Sequence, residues 1–147
     1  MTQISKKDVS VGRGTFVATA SGTVTLGDLV AYKVDASGEA RYYTVIAADF
    51  NSSPIQNCIA GVALETAASG AEVAVQFWGF CPAVKSGTVT AGDRLCLDTA
   101  GTAGKVITAV TPDDGTAADP VHQILGVATA GDSGGFVAAF LSIPRHQ

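Results

Sequence analysis

The chain contains one segment twice, and this constrains its fold more than any other feature. Residues 21–28 read Ser-Gly-Thr-Val-Thr-Leu-Gly-Asp, and residues 86–93 read Ser-Gly-Thr-Val-Thr-Ala-Gly-Asp: seven matches in eight at an offset of 65. At the same offset Ile59-Ala60-Gly61-Val62-Ala63 meets Ile124-Leu125-Gly126-Val127-Ala128. One residue is then lost, and Ser69-Gly70-Ala71-Glu72-Val73-Ala74 meets Ser133-Gly134-Gly135-Phe136-Val137-Ala138. Three blocks kept in order at nearly one spacing mark a duplicated structural unit, with repeat 1 over about 21–80 and repeat 2 over about 86–144.

Each half carries the same local signals. A Gly-Asp turn leads into a short apolar run, Leu29–Val34 or Arg94–Asp98; in the latter Leu95 and Leu97 alternate with Arg94, Cys96 and Asp98, the period of a half-buried strand. A turn rich in small residues follows (35–38 or 99–102), then a second strand at Tyr42–Ile46 or Lys105–Val110. A loop comes next (47–56 or 111–120), and each half closes on a hairpin through Ile-x-Gly-Val-Ala to a Val-rich strand, Val73–Phe77 or Phe136–Leu141. Composition agrees. The 17 Val outnumber 7 Leu and 7 Ile together and are joined by 15 Thr, a β-branched bias that favours strands. No stretch sustains helical periodicity with caps. The expectation is an all-β domain, a sandwich or barrel built from two pseudo-symmetric repeats around a shared core over 21–147, preceded by an extended N-terminal arm over 1–20.

Charge and cysteine usage narrow the function classes. The 147 residues carry 9 Lys and Arg against 13 Asp and Glu, a formal charge of −4, so nucleic acid is not an expected partner. No run reaches the roughly 18–20 apolar residues of a membrane helix, and no membrane partner is expected. The segment Met1–Asp8 lacks the apolar core of a secretory signal, which points to a protein made in the cytoplasm and not secreted. Cys58, Cys81 and Cys96 are odd in number and show no CxxC spacing; they are expected to be reduced and buried. With two distant histidines they make no usual zinc pattern, and no metal or cofactor is expected. Lys6, Lys7 and Arg13 stand against Asp8 in the polar arm, either as a solvated terminus or as a basic contact with an acidic partner surface.

Three motifs suggest catalysis. Gly131-Asp132-Ser133-Gly134-Gly135 reproduces the nucleophile segment of trypsin-like proteases, but the only upstream histidine is His122, eleven residues before Ser133, and the only Asp between them is Asp132 of the motif itself. Ser133-Gly134 aligns with Ser69-Gly70, so a hairpin tip is expected there. Asp28 and Asp93 occupy equivalent positions; a pair of catalytic acids would stand about 5–10 Å apart, whereas two turn aspartates need only local amides. Gly12-Arg13-Gly14 neither follows a strand nor opens a helix, as a phosphate loop must, and reads as a hinge. No catalytic residue is assigned, and the chain is expected not to be an enzyme. In Phe77-Trp78-Gly79-Phe80, alternation sends Phe77 to one face and Trp78 and Phe80 to the other. Aromatics on both faces need cover from outside the core, and Phe77, Trp78 and Phe80 are the candidate subunit interface, with the arm as the other possible cover.

The doubled pattern of Gly-Asp, strand, Gly-Val-Ala, small-residue turn and Val-rich strand resembles the small tailed-phage capsid decoration proteins. These are also called cement or head-stabilising proteins, and the likeness is to their duplicated all-β group of unknown function. It is carried by Gly61–Gly70 with Val73-Ala74-Val75, and by Gly126-Val127-Ala128 with Val137. The resemblance implies a homotrimer that binds the major capsid protein on the outside of the capsid and stabilises the virion, with Lys6, Lys7 and Arg13 as candidate capsid contacts. The chain departs from that pattern at Phe77–Phe80, where a Glu-Gly pair is commoner, and in its longer loops and arm. A carbohydrate- or receptor-binding module of a phage fibre or tail is the alternative; it predicts exposed aromatics at loop tips.

Overall fold

The computed structural model describes residues 14–33, 43–49, 58–98, 102–109 and 124–144. They form nine strands: β1 (Gly14–Ala20), β2 (Leu29–Tyr32), β3 (Thr44–Ala47), β4 (Ile59–Ala63), β5 (Glu72–Lys85), β6 (Arg94–Leu97), β7 (Val106–Thr108), β8 (Gly126–Ala128) and β9 (Phe136–Ser142). No helix occurs among the described residues, and the chain is all-β, as its Val- and Thr-rich runs require.

The pairing order is β1-β3-β2-β4-β5-β9-β8-β6-β7, with β1 also pairing β5. That extra pairing closes a five-strand ring, β1-β3-β2-β4-β5, in which only β1–β3 is parallel. A second ring, β5-β9-β8-β6-β7, is closed by a parallel bridge from Ser86 to Val106. The rings are copies. Leu29 faces Val62 and Val30 faces Gly61 in the first; Arg94 faces Val127 and Leu95 faces Gly126 in the second, each at the sequence offset of 65. Rings leave no open sheet edge, which is how small β domains avoid edge-to-edge pairing.

β5 serves both rings. Its first half pairs β4 and β1, and from Trp78 onward it pairs β9. Two expectations are corrected here. The arm does not extend over 1–20: Gly14–Ala20 is β1, held against β5 from Thr19↔Glu72 to Gly14↔Trp78, with Ala18 and Ala20 buried. Each repeat also begins a strand earlier than Ser21 or Ser86, because β1 and the second half of β5 are equivalent strands. A register shift between Cys81 and Val84 brackets Pro82, which has no amide to give a ladder. Residues 1–13, including Lys6, Lys7 and Arg13, lie outside the described residues.

The shared core is also corrected, to two clusters. The interior of the first ring is Ala18, Ala20, Val24, Val30, Tyr32, Val45, Ala60, Ala63, Ala67, Val73 and Val75, with Phe16 and Cys58 beside it. The other cluster fills the second ring with Val84, Leu95, Leu97, Val106, Leu125, Val137 and their neighbours. It also takes in Leu29, Ala31, Ala48, Ile59 and Val62, the outward side of the first ring. Hence β2 and β4 are buried on both faces. β6 was expected to be half-buried, yet only Arg94 is exposed, while Cys96 and Asp98 are buried with Leu95 and Leu97.

The glycine of Ile-x-Gly-Val-Ala is explained by close approach. A Cβ on Gly61 would stand 2.4 Å from the carbonyl oxygen of Gln76, and one on Gly126 2.3 Å from that of Phe140. Only a residue without a side chain lets β4 or β8 lie this near its neighbour.

Candidate interaction surface

Asp28, Asp93 and Gly131–Gly135, which suggested catalysis, are engaged in turns, whereas Gly14 opens β1 and Gly12 and Arg13 lie outside the described residues. Asp28 accepts hydrogen bonds from the Thr25 amide (2.8 Å) and hydroxyl (3.0 Å), and its other oxygen meets the Lys85 ammonium at 2.6 Å. Asp93 repeats the local part, accepting from the Thr90 amide (2.9 Å), with the Thr108 hydroxyl (2.8 Å) where Asp28 has Lys85. The Thr90 amide first and the Thr108 hydroxyl second hold the Asp93 carboxyl below its ordinary value.

The Gly131–Gly135 motif is a hairpin tip. Ser133 and Phe136 exchange both backbone hydrogen bonds (2.8 and 3.1 Å) around Gly134 and Gly135, whose φ angles are +61° and +84°. Two central residues with positive φ make the turn that suits strand twist, and glycine takes it without strain. Asp132 has its own task. In repeat 1 the amides and carbonyls of Val24 and Ala67 bond to each other; in repeat 2 the Asp132 carboxylate takes over Ala67's carbonyl role, accepting from the Val89 amide at 2.7 Å.

Among the described residues no three His, Cys, Asp or Glu side chains converge as metal ligands do. No disulfide joins Cys58, Cys81 or Cys96; Cys81 and Cys96 are buried and Cys58 is half-buried. Burial first, and the Asp98 charge second, push the Cys96 thiol up to about 11, leaving it protonated and unreactive at neutral pH.

The aromatic cluster around the β5 crossover divides as alternation requires. Phe77 turns inward, packing on the second-ring cluster with its ring 6.1 Å from that of Phe16. Trp78 and Phe80 turn outward and remain 44% and 45% exposed. Two further residues join them. Phe140 of β9 stands opposite Phe80, Val127 of β8 stands opposite Phe140, and these are 43% and 42% exposed. The Trp78 and Phe140 rings meet edge to face at 5.2 Å. The result is an apolar row, Val127–Phe140–Phe80, with Trp78 on its flank, lying on a rigid sheet and not on a loop tip. At one end of the row Arg94 stands opposite Val127.

Phe140 and Val127 were not picked out from the sequence. The signal was available for Phe140: in β9, Val137, Ala139 and Leu141 occupy the buried phase, so Phe140 falls in the outward one with Ala138 and Ser142. The side chain that shapes the crossover is Gln76, fully buried, whose amide nitrogen donates to the carbonyls of Trp78 (3.1 Å) and Phe80 (2.8 Å).

No family model matches the chain, and no curated protein matches it. Among solved structures it is similar to the head fiber gp8.5 N base in bacteriophage phi29, with a TM-score of 0.54 and 19% identity over 92% of this chain and 98% of that one. Nearly the whole of both chains is superposed, so the two-ring all-β architecture is one that a known protein also adopts.

Proposed function

We propose that this chain is a structural, non-enzymatic subunit of a phage virion. In this role it acts as a homotrimer that docks on the outer surface of the head, contacts the major capsid protein and stabilises the shell. The observation that carries this is the fold shared with a phage head fiber base over 92% of the chain. It is supported by the engagement of Asp28, Asp93 and Asp132 in turns, and by an exposed apolar row of the kind found at assembly surfaces. A lattice offers many identical sites, so modest contacts per subunit become strong when three are linked. Lys6, Lys7 and Arg13 are the basic residues proposed to meet the capsid.

The neighbour's description favours a second possibility, the base of a fibre, in which the chain anchors something to the head without reinforcing it. One experiment tests both. Purified chain is mixed with undecorated capsids of the phage that encodes it, sedimented, and the capsids are then heated. A cement subunit co-sediments to saturation and raises the capsid melting temperature; an anchor co-sediments and leaves it unchanged. Failure to co-sediment overturns both. Deleting residues 1–13 is expected to weaken co-sedimentation while the chain's own melting temperature stays within a few degrees, because β1 starts at Gly14.

A further inference from the structure

The duplication allows the two rings to be compared position by position on their outer sides. In the first ring Leu29, Ile59, Val62 and Gln76 are fully buried, at 0–1% exposure. Leu29, Ile59 and Val62 belong to the cluster that fills the second ring, so it is the second repeat that covers this side of the first. Their equivalents in the second ring are Arg94, Ile124, Val127 and Phe140. All four are exposed, Ile124 by 39%, Val127 by 42% and Phe140 by 43%. The same face of the same fold is thus apolar at three of these four positions in each copy, covered in one and bare in the other. The bare copy is enlarged by Phe80 and Trp78.

The covering contact is a built one. The Leu29 amide donates to the Gly104 carbonyl and the Gly104 amide to the Ala48 carbonyl, both at 2.8 Å, while the Lys85 amide donates to Gly27 at 2.8 Å. We propose that the outer face of the second repeat, centred on Val127, Phe140, Phe80 and Trp78, is where a second copy of this chain docks. The contact between molecules would then continue the one that the two repeats make within a molecule. The occupant follows from the fold: among the described residues this face of the first ring is covered by another repeat of the same kind, and a second copy of the chain brings such repeats. Such a contact is head-to-tail, using a different surface on each partner; it closes into a ring where the rotation between copies allows and runs on as a filament where it does not, and the homotrimer is the closed form. Arg94, in place of Leu29, gives the bare face a charged margin, as the rim of a separable interface has.

This deepens the homotrimer in the proposed function, but its test is independent of any capsid. The full chain and two variants, Val127→Asp and Phe140→Ser, are compared by light scattering after size exclusion and by far-ultraviolet circular dichroism. The wild type is expected to run near the mass of three chains. Each variant is expected to fall toward one chain, with a tenfold or larger weakening of association and an unchanged β spectrum. Phe140→Ser serves as the milder variant should the aspartate perturb folding. A wild-type monomer overturns the proposal and leaves the face to another partner or to residues 1–13. Variants that keep the wild-type mass with an unchanged spectrum also overturn it, because the face is then not the contact between copies.

Discussion

Lys85, the last residue of β5, illustrates how single side chains join the two repeats. Its ammonium meets Asp28 at 2.6 Å and also reaches the Thr25 hydroxyl, while Asp28 itself is 7% exposed. Removing the cation leaves a nearly buried carboxylate with only the two Thr25 donors. Lys85→Met should therefore lower unfolding free energy by about 1–3 kcal/mol in urea melts, reduced below the usual figure for a buried pair because the lysine is partly solvated. Adding Asp28→Asn should recover part of the loss; a double variant no better than the single would show that the charge is not what matters. Cys96 gives a pH-linked expectation. Its folded thiol is raised from 9.0 to about 11 by burial, then by Asp98. Below pH 9 both states are protonated and its contribution is fully present. Between 9 and 11 the unfolded chain loses its proton first, so stability falls as pH rises. Native protein at pH 8 should leave Cys96 unlabelled by iodoacetamide in peptide mass spectra, and urea should expose it; equal labelling in both would contradict the burial.

At the scale of elements, β5 decides the architecture, and Gln76 holds its turn from one ring into the next. The side-chain amide points its donor at the Trp78 and Phe80 carbonyls, whereas Oε1 finds no partner among the described residues. Gln76→Leu loses two hydrogen bonds and should cost about 1–3 kcal/mol. Gln76→Glu should cost more at pH 7, since it buries a carboxylate against two carbonyl oxygens, and should recover in acid as that carboxyl takes up a proton. Melting both variants at pH 7 and pH 4 checks this; a Glu variant no worse than Leu at pH 7 would mean the crossover is loose enough to admit water. Much else at this scale was readable beforehand. The aligned turns and the Gly-Val-Ala hairpins located β2, β4, β6, β8 and β9, and period-2 spacing placed Phe77 opposite Trp78 and Phe80. The first strand of each repeat was not. Residues 14–20 and 79–85 agree only at Gly14/Gly79 and Ala18/Ala83, and Pro82 shifts the register so that even the second match fails in space. β1 looked like an arm because its role lies in its pairing with β5, whose partner residues are 53 or more positions away.

The whole molecule poses a question that neither ring answers alone: whether two closed rings behave as two domains. Their strand ladders would permit it, since each ring is complete within one repeat. The packing argues otherwise. The outward side of the first ring, with Leu29, Ile59 and Val62, is part of the second ring's own cluster. Backbone hydrogen bonds from Leu29 to Gly104, from Gly104 to Ala48 and from Lys85 to Gly27 cross the seam with the Asp28–Lys85 pair, and β5 runs through it without a break. Opening the seam would bare three large aliphatic side chains that are 0–1% exposed, at roughly 1.5–3 kcal/mol each. That is comparable with the whole stability of a small domain, so a molecule with one ring unfolded should scarcely be populated. Equilibrium unfolding in urea should then be a single transition. Fluorescence from Trp78, at the junction, and far-ultraviolet circular dichroism, which reports both rings, should share one midpoint. Separate midpoints would mean that the seam is weaker than its burial implies. The bare equivalent face on the second ring could then no longer be expected to hold a neighbouring chain firmly, because it would be copying a contact that does not hold within one.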